Sequence, residues 1–592
     1  MLDNVTWIIG IISVALCASA FGNGANDVAN AYATSVAAQT LTLAQVGVLA
    51  MFTEFIGAVA LGSRVTSTIK SGIIDIERFT PNPSVLVLAM GCAEVGSATW
   101  LITATKFGFP VSTTQTIVGA LVGVGIAAQA DANWEWSSGS VSQVAASWGI
   151  APLLAAAFAA LLFSTMKFFI LERKDPFKKA MRAIPFYFAF TAAVLALFFV
   201  IELPVSPGIE GEGALEPGVV AGIVLGVFFG ALALTYIFFV PYFKARLVRK
   251  DARLRLRHVI LGPLLLRENP PIFWPAKSDS AVKDYYHTSL ENDSNNDDTL
   301  KKEKRHDDDA SNNVLGGPTD SNNTTDGDKI ANSDASNGHA KTQRDAEAAA
   351  PQGAMITKIG PSLIEPEDRW LKPYKHLSLF NPTRLGFMLK YFFFQGVSRD
   401  CVSHSSVELA NVHSKAKVYD NRVEHLWTYA QVVSAMTMSI AHGSNDVANA
   451  LGPWVGAYNT WQTEEVSPKA DTPIWIIVVA GFLLGAGFWF FGYHIIRSLG
   501  NKITQMSPVR GFAAELGAAI TVLLASVLGL PVSTTQCLTG AVLGVALMNL
   551  DFSAVNWKQL GFIFMGWVLT LPTAGLISGL LMLMALNTPS FT

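Results

Sequence analysis

Long apolar segments constrain the fold of this chain more than any other feature of its sequence. Most of them have about twenty residues, enough for a helix to cross a hydrocarbon core of about 30 Å. Only 15% of the 592 residues are charged, which is low for several soluble domains of this total length. We therefore predict an all-α polytopic membrane protein with about 12 transmembrane segments. The segments are 5–22, 43–62, 84–106, 109–129, 144–171, 183–203, 218–240, 426–442, 473–497, 511–530, 532–549 and 557–586.

Two short motifs each occur twice, in the same order. GANDVANA begins at Gly24 and recurs as GSNDVANA at Gly443, and PVSTTQ begins at Pro110 and recurs at Pro531. An odd number of predicted crossings separates the copies, so we expect two inverted-topology repeats. In many secondary transporters such repeats place discontinuous helices around a site near the membrane midplane. The segments that begin at Pro110 and Pro531 are candidates for half-helices in re-entrant hairpins.

The repeats divide the chain into four predicted parts. They are an N-terminal repeat (1–171), two additional helices (172–243), a large loop (244–425) and a C-terminal repeat (426–592). Within the loop, residues 277–350 are rich in Asn, Asp, Ser, Lys and Gly, a composition that predicts disorder because it buries too little apolar surface. Residues 384–397 instead have the pattern of an amphipathic helix at a membrane interface.

Basic residues next to the spans predict the orientation of the chain. The segment 244–257 has seven Lys or Arg residues against one Asp, and the loop 172–182 is also basic. Two predicted helices separate these segments, so both lie on the same side. We therefore expect the large loop in the cytoplasm and both termini outside. Since no targeting signal is evident, the plasma membrane is the expected location.

The first motif offers ligands for a small cation. Asn26, Asp27 and Asn30 provide a carboxylate and amide oxygens, which are hard ligands, and Asn445, Asp446 and Asn449 repeat the set. An Asp at membrane depth is costly unless it is paired, which makes it a candidate functional residue. The alternative is a polar packing motif between helices, although such a motif needs no Asp.

The second motif has the pattern of a helix start. Proline suits the first turn, and hydroxyl side chains suit the positions that cap the free N–H groups. Such a start binds anions without Lys or Arg, and two opposed copies would contact one anion from both sides. Ordinary capping at a membrane boundary is the alternative. A serine nucleophile is excluded because Gln115 and Gln536 cannot act as a base.

Other ionisable residues lie within the apolar segments. Glu94 and Glu515 are equivalent, each 18 residues before the Ser of its PVSTTQ motif, whereas Glu54 has no equivalent. Polar contacts between helices are an alternative role for all three. We interpret His442, which stands where the first repeat has Asn23, as a hydrogen bonder at a helix end.

These residues resemble the inorganic phosphate transporter (PiT) family, whose mark is the duplicated GANDVANA-type motif with duplicated PVSTT segments. The resemblance covers residues 1–240 and 426–592 and implies cation-coupled phosphate symport, with Glu54 and Glu515 matching essential glutamates of the family. Gln115 and Gln536 stand where many eukaryotic relatives have His. The implied phosphate ligands are Asn26, Ser112, Thr113, Thr114, Gln115, Asn445, Ser533, Thr534, Thr535 and Gln536. The implied sodium ligands are Asp27, Asn30, Asp446 and Asn449, and Glu54, Glu94 and Glu515 are expected to be critical for transport.

The leading hypothesis is a sodium:phosphate symporter that works by alternating access, with sodium as co-substrate and no other cofactor. Proton coupling, another tetrahedral oxyanion, or a phosphate sensor are the alternatives. An enzyme is not expected, since the chain has no nucleophile–base set and no nucleotide-binding loop. The net charge of −3 argues against nucleic acid as a partner. Formation of a homo-oligomer and binding of regulatory proteins to the large loop are further hypotheses.

Overall fold

The computed structural model describes residues 2–62, 72–136, 140–202, 215–276, 280–286, 364–402, 407–467, 472–528 and 530–588. Helices dominate these residues, which confirms the all-α fold class. The N-terminal helices are α1 (Thr6–Asn26), α2 (Val28–Ala37), α3 (Leu43–Leu61), α4 (Pro83–Lys106), α5 (Thr113–Ala128), α6 (Val141–Met166), α7 (Pro176–Glu202) and α8 (Pro217–Leu234). The remaining helices are α9 (Pro382–Phe394), α10 (Val407–Ser414), α11 (Asn421–Thr463), α12 (Ile474–Phe491), α13 (Tyr493–Leu499), α14 (Pro508–Val527), α15 (Thr534–Leu547) and α16 (Trp557–Leu586).

The described residues of the predicted apolar segments are mostly helical, and 473–497 is divided between α12 and α13. Within the described residues, nine helical segments are long and apolar enough to span a membrane. Of the other predicted segments, α5 and α15 have only 16 and 14 residues. Helix α11 has 43 residues, but the polar motif along it lowers its hydropathy. The predicted crossings at these three helices therefore remain a prediction.

Both copies of the GANDVANA motif lie on helical backbone. The first copy has a one-residue irregularity at Asp27, between α1 and α2, but Asp27 keeps right-handed helical angles (φ −93°, ψ −27°) and its N–H still donates to the carbonyl oxygen of Asn23 at 2.8 Å. The second copy runs through α11 without a break. The backbone therefore stays helical through both copies.

The PVSTTQ copies start helices, as their composition predicts. Ser112 caps α5 and Ser533 caps α15, and each hydroxyl oxygen accepts a hydrogen bond from the backbone N–H of the Gln three residues later. The N···O distances are 3.2 Å at Ser112 and 3.3 Å at Ser533. Both short helices thus begin inside the protein, with their N-termini beside the motif copies.

Glycines let α1 and α12 pack with their backbones in contact. A Cβ atom on Gly24 would lie 1.8 Å from the carbonyl oxygen of Leu484, and one on Gly487 would lie 1.9 Å from that of Phe21. Neither position tolerates a side chain. This close approach fixes the helix that leads into Asp27, and small residues are the usual means of such packing in membranes.

A short stretch of the large loop, residues 280–286, packs on the ends of α11 and α14; we name it the strap. The Tyr285 hydroxyl lies 2.8 Å from Thr428 Oγ1, and the Tyr286 hydroxyl donates to the buried Glu424 carboxylate. Lys283 Nζ donates to the carbonyl oxygen of Gln39, just after α2, at 3.0 Å.

The strap corrects the prediction of disorder over 277–350. That prediction is wrong for 280–286. Two adjacent tyrosines in this stretch are buried, and their hydroxyl groups form hydrogen bonds to buried polar side chains. The rest of 277–350 lies outside the described residues.

Helix α9 forms where the amphipathic segment 384–397 was predicted. It exposes apolar side chains, among them Leu385, Leu389, Phe392 and Phe393. Its location at a membrane interface remains a prediction, as does the four-part division of the chain.

Candidate functional site

The two repeats exchange hydrogen bonds at the centre of the protein. Asn30 Nδ2, on α2, donates to Thr535 Oγ1 of the other repeat at 2.7 Å. Asn449 Nδ2, on α11, donates to Thr114 Oγ1 at 3.1 Å and to Thr113 Oγ1 at 3.0 Å. The second Asn of each GANDVANA copy therefore contacts the PVSTTQ copy of the opposite repeat.

Each Asp of the motifs accepts a hydrogen bond from its own repeat. Thr113 Oγ1 donates to Asp27 Oδ2 at 2.7 Å, and Thr534 Oγ1 donates to Asp446 Oδ2 at 2.9 Å. Thr535 Oγ1 also lies 2.9 Å from Asp27 Oδ1. Both carboxylates are buried, so these donors replace part of their lost hydration.

The loops before α5 and α15 are tied together by a second reciprocal exchange. Thr114 Oγ1 donates to the carbonyl oxygen of Val532 at 3.2 Å, and Thr535 Oγ1 lies 3.1 Å from that of Val111. Val111 and Val532 are equivalent positions in the two repeats. Both helix starts therefore meet in one buried polar cluster.

Asn26 and Asn445 were predicted from the sequence to bind phosphate. In the structure their side chains form hydrogen bonds to the backbone of the loops before α5 and α15. Asn26 Nδ2 donates to the carbonyl oxygen of Phe109 at 3.0 Å, and its Oδ1 accepts from Val111 N at 3.1 Å. Asn445 Nδ2 donates to the carbonyl oxygen of Val532 at 3.0 Å. Since Asn26 Nδ2 also donates to Thr105 Oγ1 at 2.9 Å, every polar atom of this side chain has a partner, whereas Asn445 Oδ1 has none within the described residues.

Several buried amide oxygens of the GANDVANA and PVSTTQ copies have no hydrogen-bond partner within the described residues. They are Asn30 Oδ1, Gln115 Oε1, Asn445 Oδ1, Asn449 Oδ1 and Gln536 Oε1. All five residues are at most 4% exposed. A buried acceptor without a donor needs an explanation, and a cation is one that suits an oxygen ligand.

His442 occupies a position that sequence analysis misjudged. It lies inside α11 and not at a helix end, because the helix continues through the motif. Its Nδ1 lies 2.6 Å from Glu54 Oε2 and its Nε2 lies 2.9 Å from Asp446 Oδ2. His442 therefore lies between two buried carboxylates: Nδ1 is hydrogen-bonded to Glu54, whereas Nε2 is close to Asp446 without hydrogen-bond geometry. Glu54 joins the site through His442. The spacing of four residues between His442 and Asp446 was the signal that could have revealed this.

Glu515 lies in a separate buried cluster of donors. It accepts hydrogen bonds from Ser35 Oγ at 2.7 Å, from Ser434 Oγ at 2.6 Å and from Gln431 Nε2 at 3.3 Å, and also from the Thr34 hydroxyl. These four partners were not found from the sequence. These hydrogen bonds link α2, on which Asn30 also lies, to α11 and α14.

Charge balance sets the chemistry of the central cluster. Asp27, His442 and Asp446 each offer a ligand atom within 4.8 Å of the others. Among the described residues that contact these carboxylates, His442 is the basic one; no Lys or Arg side chain reaches them. Carboxylates held this close in a low dielectric repel each other unless positive charge lies between them. The cluster is therefore suited to cations, with hydroxyl and N–H donors alongside for an anion.

An all-helical membrane protein with such a cluster between duplicated motifs has the architecture of a membrane transporter. Comparison with known proteins specifies which kind. The family model described as "Phosphate transporter family" matches residues 23–578. The chain belongs to this family, which confirms the resemblance found from its motifs and places it among transporters and not among enzymes.

Individual relatives match along nearly the whole chain. The phosphate-repressible phosphate permease pho-4 of Neurospora crassa is 37% identical, and the match covers 100% of this chain and 99% of that protein. Sodium-dependent phosphate transporter 1 of Homo sapiens is 26% identical over 93% of this chain and 92% of its own. A solved structure titled "The sodium-dependent phosphate transporter" shares the fold, with a TM-score of 0.61, 23% identity and coverage of 98% and 100% of the two chains.

Proposed function

We propose that this protein imports inorganic phosphate by symport with sodium ions. The observation that carries the proposal is the reciprocal exchange in which Asn30 and Asn449 each contact a threonine of the opposite repeat, beside two buried Asp carboxylates. Relatives named as sodium-dependent phosphate transporters support the choice of ions.

Sodium is proposed to bind between the motif carboxylates and the unpartnered amide oxygens. Asp27 and Asn30 form one set of ligands and Asp446 and Asn449 the other, and Oδ1 of each Asn is available. Carboxylate and amide oxygens suit a hard monovalent cation. Positive charge at these two positions also removes the repulsion that phosphate would otherwise meet.

Phosphate is proposed to bind the helix starts of α5 and α15. The donors are the hydroxyl groups and backbone N–H groups of Ser112, Thr113, Thr114, Gln115, Ser533, Thr534, Thr535 and Gln536, with Asn445 alongside. Thr113 and Thr534 now donate to Asp27 and Asp446. Once sodium neutralises a carboxylate, the hydroxyl group is free to turn to phosphate. Sodium therefore binds first, and the affinities of the two ions rise together.

Transport requires this buried cluster to open to either side in turn. We propose that the two repeats are inverted and that they provide alternating access, with the large loop in the cytoplasm, both termini outside and the plasma membrane as the location. This orientation is supported by the acidic loop at 204–217 and by the basic segments 172–182 and 244–257.

Proton-coupled phosphate symport is the second candidate, because His442 joins Glu54 to Asp446 at the site. The test of both is uptake of radiolabelled phosphate into vesicles that contain the purified protein, with sodium and proton gradients imposed separately. Uptake driven by the sodium gradient alone supports the main proposal. Uptake driven by protons alone favours the second, and uptake that follows neither gradient overturns symport.

A further inference from the structure

Glu94 and Glu515 are equivalent in the two repeats but have opposite surroundings. Both are completely buried, at 0% exposure. Glu515 accepts hydrogen bonds from three hydroxyl groups and one amide. Neither carboxyl oxygen of Glu94 has a hydrogen-bond partner among the residues that the structure describes. The first repeat has therefore kept the acid but not the four donors, and the Ser19 hydroxyl group alone is directed toward it among the described residues.

The sequence explains this difference. The donors to Glu515 are Thr34, Ser35, Gln431 and Ser434. With the register of the GANDVANA copies, the equivalent positions around Glu94 are Pro453, Trp454, Ile12 and Ala15. Three of these side chains have no donor, and Trp454 Nε1 donates to Ser13 Oγ at 2.9 Å instead. Ser19 of α1 is the hydroxyl group that faces Glu94.

No described charge compensates Glu94 either. Helices α1, α5, α11 and α16 pack along α4, and short contacts at its ends come from 76–79 and α13. Their titratable side chains are Cys17, Glu77, Arg78, Arg422, Glu424, His425, Tyr429, His442, Asp446, Tyr458, Tyr493, His494, Arg497 and Lys558, and α4 itself adds Cys92 and Lys106. Within the described residues none of them bonds to Glu94 or acts on it electrostatically.

An isolated carboxylate in such surroundings is much less stable than the neutral acid. We infer that Glu94 is a proton-binding site, separate from the phosphate and sodium cluster, and that it holds its proton in the conformation described. Conformations of the transport cycle that admit water to α4 would let Glu94 ionise. Protons then favour the present, occluded conformation over those conformations. This last step rests on the proposed function, whereas the protonation of Glu94 does not.

Infrared spectroscopy of the purified full-length protein tests the protonation directly. A protonated carboxyl group gives a carbonyl stretching band that shifts in heavy water. We expect Glu94→Gln to remove a component of this band and Glu515→Gln, the matched variant of the other repeat, to leave that component in place. A spectrum that Glu94→Gln leaves unchanged would overturn the inference. If Glu94→Gln does not fold, Glu94→Asp must move the component to a new frequency, and a fixed component overturns the inference as well.

Transport assays test the coupling to conformation. Wild-type uptake is measured in two series, one with the monovalent and one with the divalent form of phosphate at constant concentration. It should vary with pH in both series, and Glu94→Gln should behave at every pH like the wild type at acidic pH. An unchanged pH profile in Glu94→Gln would show that the proton has no part in the cycle. Loss of the infrared component together with sodium-independent uptake would contradict the proposed function and leave the proton site standing.

Discussion

Asn30 of the first repeat donates a hydrogen bond to Thr535 of the second at 2.7 Å, and the equivalent pair, Asn449 and Thr114, are 3.1 Å apart. Each repeat therefore completes the hydrogen-bond network of the other. Neither repeat has a complete set of contacts by itself, which accounts for the occurrence of both motifs in both halves of the chain.

The contact between Asn30 and Thr535 should contribute measurably to phosphate binding. We expect Asn30→Ala and Thr535→Val each to weaken binding, and the double variant to lose less than the sum. Contacting residues in one network typically show coupling of about 0.5–3 kcal/mol. The measurement is the phosphate Kd of the four proteins in saturating sodium. The equivalent cycle on Asn449 and Thr114 should give coupling of the same sign, and additive effects in both cycles would contradict the exchange.

Asp27→Asn should reduce the sodium dependence of phosphate binding. The variant keeps the shape of the side chain but removes the charge that is proposed to hold sodium. Phosphate binding to purified protein should rise with sodium in the wild type and much less in the variant. Asp3→Asn, an exposed Asp at the start of the chain, is the control and should match the wild type. Wild-type affinity that is flat in both sodium and pH would show that another positive group neutralises the site.

Replacing His442 should destabilise the protein, because the His442 side chain lies between two buried carboxylates that would otherwise repel each other. Removal of one partner from a buried ionic contact commonly costs about 3–5 kcal/mol. We expect His442→Ala to lower the melting temperature and abolish uptake, and His442→Gln, which keeps a hydrogen-bonding side chain, to do so less. Adding Glu54→Gln to His442→Ala should restore part of the stability by removing one carboxylate. No recovery in that double variant would argue against the bridge between Glu54 and Asp446.

The strap should stabilise the ends of α11 and α14. In Tyr286→Phe the buried Glu424 carboxylate loses a donor, and such a loss costs about 1–3 kcal/mol. The control is Tyr391→Phe, since Tyr391 donates to Glu367 at 2.9 Å in a partly exposed pair. The melting temperature of the purified protein should fall more in Tyr286→Phe. Equal effects of the two substitutions would show that burial of Glu424 adds nothing.

Two deletions in the large loop should differ in their effect on uptake. Removal of 288–350 should leave phosphate uptake largely intact, because the strap and both repeats are retained. Removal of 280–350 also deletes Tyr285 and Tyr286 and should lower the amount of folded protein and its uptake. The comparison is made per molecule of protein at the membrane. Loss of uptake by the shorter deletion would mean that residues 288–350 take part in transport.

The sequence predicted the helices well because a long apolar run has few alternatives to a buried or membrane-spanning helix. It also identified the caps of α5 and α15, since Ser112 and Ser533 act on residues only three positions away. It could not predict the one-residue irregularity at Asp27, which the equivalent position of α11 lacks, because packing of the surrounding helices decides it.

Two features of the site depend on contacts that are distant in the sequence. The role of His442 requires Glu54, which comes from α3 in the other repeat. The strap was missed because average composition over 277–350 conceals two adjacent tyrosines with specific buried partners. In each case the information lay in a pairing between helices and not in a local pattern.

The interlocked glycines of α1 and α12 have a mechanical consequence. Because Gly24 and Gly487 bring the two backbones into contact, neither helix can slide or rotate past the other without a steric clash. The two helices must therefore move together as one rigid unit, which leads directly into Asp27 at the end of α1. An ion bound at Asp27 would then be displaced together with α1 and α12.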